Sequence, residues 1–373
     1  MKLGLFLMPS HPPERSPYDA QQWDLKCLRM ADQYGLAEAW IGEHFTAPWE
    51  PVPSPDILIA QALMQTKNIK LGTGAHLLPF HHPIELAARV AYLDHLAQGR
   101  YMFGIGSGGL QSDHELFGVD MENGEHRERT RESLDIILTL WKHVDGPFKY
   151  KGKFWDINIP DPKDYAFADL RHHITPFQKP HPPIGVAGGS PGSETLKIVG
   201  ERGYIPMSLG LNAVYMASHW DVVTKGAESA GRQPPSRSEW RIVRDIWVAD
   251  SDEEAREGAI NGMLGRAWKE YLRPLFEQGA YPFVSFMKHD ENMSDDDVTI
   301  EYMMENLWIV GSPKTVTEKL RNLYATVGGF GHLLWLTFDH SENSEAYETS
   351  MRLMAEEVMP NLSDLTGDQL PMG

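Results

Sequence analysis

Short apolar runs alternate with longer amphipathic segments down almost the whole chain, and few folds accommodate that order. Apolar runs at 2–8, 37–42, 69–78, 101–105, 184–187, 204–209, 240–249 and 332–338 read as buried strands. Segments at 19–34, 56–66, 83–96, 129–141, 252–264, 313–327 and 344–359 read as helices, and another runs from the turn after 187 to Gly200. Over 19–34, Trp23, Cys27, Met30, Ala31 and Tyr34 share one face, and Gly35 supplies the stop. Asp250-Ser251-Asp252 caps the helix that follows strand seven. Eight strand–helix units with parallel-type crossovers predict an α/β fold, a (β/α)8 TIM barrel; a doubly wound open sheet is the alternative.

No linker or internal repeat divides the chain, so 1–373 reads as one barrel domain with insertions at about 146–183 and 272–306. The second insertion follows strand seven. It is aromatic at Tyr281, Phe283 and Phe286 and acidic over 290–297, and it reads as a mobile lid.

Charge narrows the function classes. The net charge is −18, from 52 acidic and 34 basic side chains, and no Lys/Arg-rich stretch stands out. Nucleic acid and anionic membranes are poor partners for such a surface. One cysteine, Cys27, excludes an intrachain disulfide framework and a cysteine-based zinc cluster, and it fits a reducing compartment. The apolar start runs into Pro9 and a polar stretch without a cleavage site, so it is not read as a signal peptide. No run is long enough to span a membrane. A cytoplasmic location is expected.

Chemistry-bearing residues gather at predicted strand ends. The run Trp40-Ile41-Gly42-Glu43-His44-Phe45 reads as a strand that stops on Gly42 and delivers a carboxylate and an imidazole. In a parallel barrel that end carries the active site. A neutral imidazole there can donate, accept or move a proton near neutral pH. Gly72-Thr73-Gly74-Ala75-His76 ends strand three with small residues, leaving room for a ring to lie on the backbone. The alternative is tight packing.

Gly104-Ile105-Gly106-Ser107-Gly108-Gly109 matches G-x-G-x-x-G, but the acidic strand end expected some 20 residues on is replaced by a charged helix start. Ala187-Gly188-Gly189-Ser190-Pro191-Gly192-Ser193 opens a helix, with Ser190 and Ser193 as donors and Arg127 within reach, and reads as a phosphate site. His44, His76, His81 and His82 carry no metal-binding spacing, so no metal is expected, and no G-x-S-x-G elbow is present.

These residues resemble the bacterial luciferase-like family of flavin-dependent monooxygenases over nearly the whole chain. The blocks are Lys2-Leu3-Gly4-Leu5-Phe6-Leu7, Trp40 to Phe45, Leu71-Gly72-Thr73-Gly74-Ala75 and Leu78-Pro79-Phe80-His81-His82-Pro83. They continue with Gly99-Arg100-Tyr101-Met102-Phe103-Gly104-Ile105-Gly106, Val310-Gly311-Ser312-Pro313 and Glu357-Val358-Met359-Pro360. The stretch from Thr195 to Gly203 is similar to the branch labelled limonene or alkane monooxygenase.

The resemblance implies a barrel that binds FMN at its C-terminal end. It implies a non-prolyl cis peptide at Gly74-Ala75 under the flavin, a catalytic histidine at His44, and phosphate ligands at Arg127 and the turn from Gly188 to Ser193. Three positions depart from luciferase itself. Phe45 replaces a second histidine, Ser107 an arginine phosphate ligand and Gly106 a cysteine near the flavin, which argues against light emission.

The expected function is the oxygenase component of a two-component FMNH2-dependent monooxygenase, with a separate flavin reductase supplying FMNH2. Dioxygen would form a flavin C4a-(hydro)peroxide that inserts one oxygen into a small hydrophobic ketone, alkene or ring. His44, Glu43 and His76 are the expected catalytic residues. Gly74, Ala75, Gly106, Ser107, Arg127, Gly188, Gly189, Ser190 and Ser193 are expected to hold FMN. Met8, Trp49, His81, Trp247, Phe283, Phe286 and Trp335 are expected to line the substrate pocket. A homodimer is expected from the resemblance. The alternatives are a deazaflavin (F420)-dependent hydride-transfer enzyme on the same fold and a non-catalytic flavin-binding protein.

Overall fold

The computed structural model describes residues 1–142, 146–210, 212–279, 283–290 and 292–368. Eight parallel strands close into a barrel. In order they are Lys2–Ser10, Glu38–Ile41, Lys70–Thr73, Tyr101–Gly106, Ile184–Gly188, Ile205–Ser208, Arg241–Val248 and His332–Phe338, and they are called strands one to eight below. Each pairs with the next. The ring closes where strand seven pairs with strand six through Arg241↔Met207 and with strand eight through Arg241↔His332, and strand eight pairs with strand one. The open-sheet alternative is thereby excluded.

Strand three shows a local departure from the expected continuous run. The cis Gly74-Ala75 peptide interrupts it, and a two-residue piece, His76–Leu77, rejoins strand four through His76↔Ile105 and Leu77↔Gly106.

The barrel interior is a small apolar cluster of Phe6, Trp40, Met102, Met207, Val243 and Leu334. Trp40 fills its middle. A Cβ on Gly72, Gly74 or Gly185 would come within 2.7, 2.9 or 2.8 Å of that side chain. The protein's own indole therefore needs the small residues of strand three, and tight packing accounts for Gly72 and Gly74 on that side.

Below Trp40, at the N-terminal ends of the strands, Arg241 makes two 3.0 Å hydrogen bonds to Glu38, and the Trp40 indole N–H donates to the same carboxylate at 3.0 Å. Burial opposes the charged Glu38 carboxyl, but Arg241 and His332 outweigh it and hold its pKa far below the usual range. This floor is sealed, which leaves the C-terminal end for the site.

Helices wrap the outside. Pro17–Gln33 starts at Ser16, whose hydroxyl accepts the Asp19 amide, and Pro313–Val327 starts at Ser312 and stops at Gly328 in the left-handed region. A helix at Ala213–Ser229, between strands six and seven, was not foreseen. The helix expected over 252–264 ends at Asn261, and Gly262 separates it from a short helix at Met263–Ala267.

The insertion at 146–183 carries an antiparallel hairpin, Phe148–Lys151 with Asp156–Ile159. Glu132 grips its turn by accepting the amides of Lys153, Phe154 and Trp155 at 3.0–3.3 Å. The insertion at 272–306 is largely helical, with helices at Arg273–Gln278 and Ile300–Asn306 and turns at Phe283–Met287 and Asp295–Asp297. Val284, Met287, Val298 and Met303 anchor it in the core, while Tyr281 lies outside the described residues. No helix among the described residues is long and apolar enough to cross a membrane.

Candidate active site

Strand two ends at Ile41, and the next residues send their side chains to two different places. Glu43 enters a buried network. Its Oε2 accepts from His76 Nδ1 at 3.0 Å and its Oε1 lies 2.6 Å from His81 Nε2. His76 Nε2 donates to Asp56 at 2.8 Å, and Arg89 pairs with the other Asp56 oxygen. Two nitrogens that both donate require the protonated ring. Burial by itself would lower the His76 pKa, but the Asp56 and Glu43 carboxylates outweigh it and raise it to about 9.

Glu43, His76 and His81 bring three ligand-type atoms within 4.8 Å of one another, but each already has an ionic partner in this network. The expected catalytic roles of Glu43 and His76 are corrected here. Both side chains are fully buried and engaged, so they hold the 74–82 segment against the helices Pro55–Leu63 and Pro83–Ala97 rather than face a substrate. His81, expected in the pocket, belongs mainly to the same network.

His44 turns the other way. Its Nδ1 donates to Asp113 Oδ2 at 3.1 Å, and its Nε2 lies 3.0 Å from Glu50 Oε2. Asp113 is locked by the amides of Phe45 and Thr46, at 3.2 and 2.8 Å, and by the Thr46 hydroxyl at 2.6 Å. Glu50 is buried, and burial raises its pKa; Tyr271, just before the second insertion, shares its surroundings. Desolvation pulls the His44 pKa down, but Glu50 and Asp113 more than restore it, and the net shift is upward. His44 is the imidazole that keeps partial exposure at this strand end. Asp113 and Glu50 were missed in the sequence, and the available signal was only that acidic residues follow two strand ends.

The expected flavin-holding residues lie on the neighbouring strands three, four and five. A Cβ on Gly106 would meet the Ala75 methyl at 3.2 Å, so the cis peptide and the end of strand four form one flat shelf. The Ser107 hydroxyl accepts from Thr130 at 3.0 Å, which brings the start of helix Glu125–Lys142, and Arg127 with it, beside that shelf. Arg127 is exposed and has no ion-pair partner among the described residues.

The turn after strand five is braced by a chain that sequence reasoning did not find. Trp240 N–H donates to the Ser208 hydroxyl at 2.9 Å, Ser208 meets His219 Nδ1 at 2.8 Å, and His219 Nε2 donates to the Ser190 carbonyl at 2.7 Å. Burial lowers the His219 pKa, which keeps the neutral tautomer this chain needs. Two expected donors serve the turn itself. The Ser193 hydroxyl is buried against Thr195 at 2.8 Å, and Gly188 is small because Leu196 packs 2.7 Å from where its Cβ would lie. Gly189 and Ser190 remain at the surface of the turn.

The mouth of the barrel is apolar. Met8, Ala187, Leu209 and Leu336 sit on the interior cluster, and Phe283 packs over Gly189 and against Phe286 at a ring separation of 5.9 Å. Met8, Phe283 and Phe286 thus fit the expected pocket. Trp247 and Trp335 do not. Strand seven pairs with strand eight only to Asp245 and then bends off to pair with Ile309–Gly311. That bend carries Trp247 out of the wall, where it stacks near His340 and Tyr347 at 4.8 and 6.4 Å. Trp335 faces the same outer layer, 5.5 Å from Tyr347. Trp49 stacks on Tyr271 at 5.7 Å and guards the back of Glu50 instead of lining the mouth.

Comparison with known proteins agrees with this fold. Residues 1–329 match the luciferase-like monooxygenase family. The chain is 33% identical to 2,5-diketocamphane 1,2-monooxygenase 1 of Pseudomonas putida over 97% of its length and 99% of that protein's. It is 28% identical to limonene 1,2-monooxygenase of Rhodococcus erythropolis, over 98% of this chain and 88% of that one. Among solved structures it superposes at a TM-score of 0.90 on the oxygenating constituent of 3,6-diketocamphane monooxygenase from Pseudomonas putida, a type II Baeyer-Villiger monooxygenase in complex with FMN. That match covers 100% of this chain and 99% of that one at 32% identity. By sequence and by fold, the chain belongs to the luciferase-like monooxygenases.

Proposed function

We infer that this flavin-dependent monooxygenase uses reduced FMN delivered by a separate reductase to place one oxygen atom on a small apolar ketone. The observation that carries the reading is the juxtaposition at one barrel mouth. His44, fixed by Asp113, follows strand two, Ala75 and Gly106 meet at the ends of the adjoining strands three and four, and the residues above the interior cluster are apolar. A flavin suits that shelf, and its phosphate suits the exposed Arg127 and the turn at Gly189 and Ser190. When bound, FMN supplies the oxygen-activating chemistry.

The chain's own residues bind and orient. Met8, Leu209 and Phe283 exclude water, and His44 holds or moves a proton at Nε2 as Glu50 gives way. FMN is favoured over a deazaflavin because the solved relative at a TM-score of 0.90 carries FMN.

A homodimer is supported by exposed Ile57, Met64, Tyr92 and Leu96 on the neighbouring helices Pro55–Leu63 and Pro83–Ala97, where a monomer would leave apolar surface in water. A cytoplasmic setting, where a reductase and reduced flavin are at hand, fits the same reading.

The test is turnover with photoreduced FMN and isotopically labelled dioxygen. A lactone carrying one labelled oxygen from a small cyclic ketone is expected. Quantitative hydrogen peroxide with no lactone from any ketone tried would refute the reading.

A further inference from the structure

The wall of the apolar mouth contains a carboxyl with one oxygen left unpartnered. Asp245 sits at the last position at which strand seven belongs to the barrel wall, paired with Leu336 of strand eight. Two residues earlier, Val243 pairs with Leu334, and both lie in the interior cluster; Leu336 packs on that cluster as well. Side chains two apart on a strand share a face, so Asp245 points into the barrel toward its C-terminal end. Its Oδ1 is buried and has no hydrogen-bond partner.

Arg244 is the one charged group whose field reaches it, from the opposite face of the same strand, and Arg244 donates to the Val243 carbonyl at 3.3 Å. The interior-cluster side chains of strands six, eight and one, with those packed on them, are the apolar Met207, Leu334, Leu336, Phe6 and Met8; His11 and Asp339, which follow strands one and eight, pair with each other at 2.8 Å.

The position also divides the mouth. The shelf and turn fitted to FMN come from strands three, four and five, so strands seven, eight and one face the space left for a substrate. We propose that Asp245 is the substrate-anchoring residue of this site: as the neutral acid it donates a hydrogen bond to a carbonyl oxygen, and the site therefore selects small ketones over alkenes of the same shape. The inference rests on the FMN oxygenase reading and names its substrate class.

The Asp245 backbone amide is a donor to this carboxyl, but a buried carboxylate oxygen left without one is costly, whereas a neutral carboxyl needs only an acceptor for its O–H. Burial raises the Asp245 pKa to about 6, against the pull of Arg244, and an apolar ligand closing over it favours the acid further. A ketone offers acceptors and no donors, so it matches the acid and not the anion. An alkene leaves the carboxyl unpaired, and a site built around a polar group discriminates against a ligand that cannot satisfy it.

The full-length protein, with photoreduced FMN, is assayed on a small cyclic ketone and the matched cycloalkene, as wild type, D245N and D245L. FMN binding by each variant serves as the folding control. The wild type is expected to prefer the ketone, and its kcat/KM should fall as pH rises above about 6, where the acid ionises. D245L should lose roughly 10-fold in kcat/KM for the ketone, mainly through KM, the size of one hydrogen bond. D245N keeps a donor, so it should stay within about 3-fold, and the part of the fall centred near pH 6 should disappear, leaving only the limb set by His44 at higher pH.

A D245L enzyme that binds FMN and keeps wild-type kcat/KM on the ketone overturns the proposal. If D245L does not fold, a D245N profile that keeps the wild-type midpoint near pH 6 overturns it. A wild type that oxidises cycloalkene but not ketone also overturns it while leaving the oxygenase reading intact. A wild type that oxidises neither refutes the oxygenase reading itself.

Discussion

At the scale of single residues, the proposed chemistry rests on His44 and its two acids, Asp113 and Glu50. His44→Ala leaves the Asp113 clasp on Thr46 in place, so the fold and FMN binding should survive. Product formed per FMNH2 consumed should drop by roughly 100-fold, the scale of a positioned proton-transfer group, with the lost oxygen recovered as hydrogen peroxide. Unchanged coupling, read by peroxide and product assays together, would remove His44 from the mechanism.

Asp113→Asn tests the electrostatics. Burial lowers the His44 pKa while Glu50 and Asp113 raise it above its ordinary value. Loss of one carboxylate should bring it down, so the alkaline limb of kcat set by imidazolium should move to lower pH. A limb that stays put would assign it to another group. Glu50 would then be the residue to vary next.

At the scale of elements, the 74–82 segment and the second insertion do different work. The first is clamped by Glu43, His76, Asp56 and Arg89. The His76 pKa is raised from the unfolded value of 6.5 to about 9, so its contribution is complete below 6.5 and is lost as pH climbs through 9. The Glu43 and Asp56 pKa values are lowered, because their partners outweigh burial, so their contribution is present above the ordinary carboxylate range and fades as pH falls through the lowered values. Chemical denaturation of wild type and His76→Gln across pH should show it. The wild type should lose on the order of 2–3 kcal/mol between pH 6.5 and 9 that the variant lacks. His11, held between Asp24 and Asp339 and also raised to about 9 despite burial, contributes a parallel loss in both proteins, so the difference between the two curves is the quantity to read.

The second insertion reaches the mouth through Phe283, which lies over Gly189. Phe283→Ala opens that cover. It should raise peroxide release several-fold at unchanged Tm within a degree or two, because the ring is only partly buried and the anchors are Val284 and Met287. A large Tm loss would show that Phe283 is part of the core rather than of the cover.

At the scale of the whole molecule, the charged floor ties the barrel together, and the apolar outer helices are the face on which the proposed homodimer is tested. Glu38 and Arg241 join strands two and seven across the barrel floor, so Arg241→Met alone strands a buried carboxylate and should cost about 3–5 kcal/mol. The exposed side chains of Ile57, Met64, Tyr92 and Leu96 should be covered in solution. Met64→Glu with Tyr92→Glu is expected to halve the mass measured by analytical ultracentrifugation without changing the circular dichroism spectrum. A wild type that already sediments as a monomer would show that the face is left open.

The alternation of apolar runs and amphipathic segments by itself determined the barrel. Strand period, helix period and caps are local signals, and a closed ring is one of few ways to bury eight two-faced strands. Local chemistry also placed Glu43, His44 and the Gly-rich turns at strand ends, because a strand end is written in the few residues that terminate it. What each side chain touches was decided only by tertiary structure. Glu43 and His44 are neighbours in sequence, yet one is sealed against His76 and the other meets acids at positions 50 and 113. Trp247 has the spacing of an interior residue, and a change of pairing partner after Asp245 carries it outside. Asp245 was visible as an acid in an apolar strand, but only the register against Leu336 turned it inward. Burial and partners are non-local quantities, set by segments that meet across the barrel, and the single chain does not write them at the positions they affect.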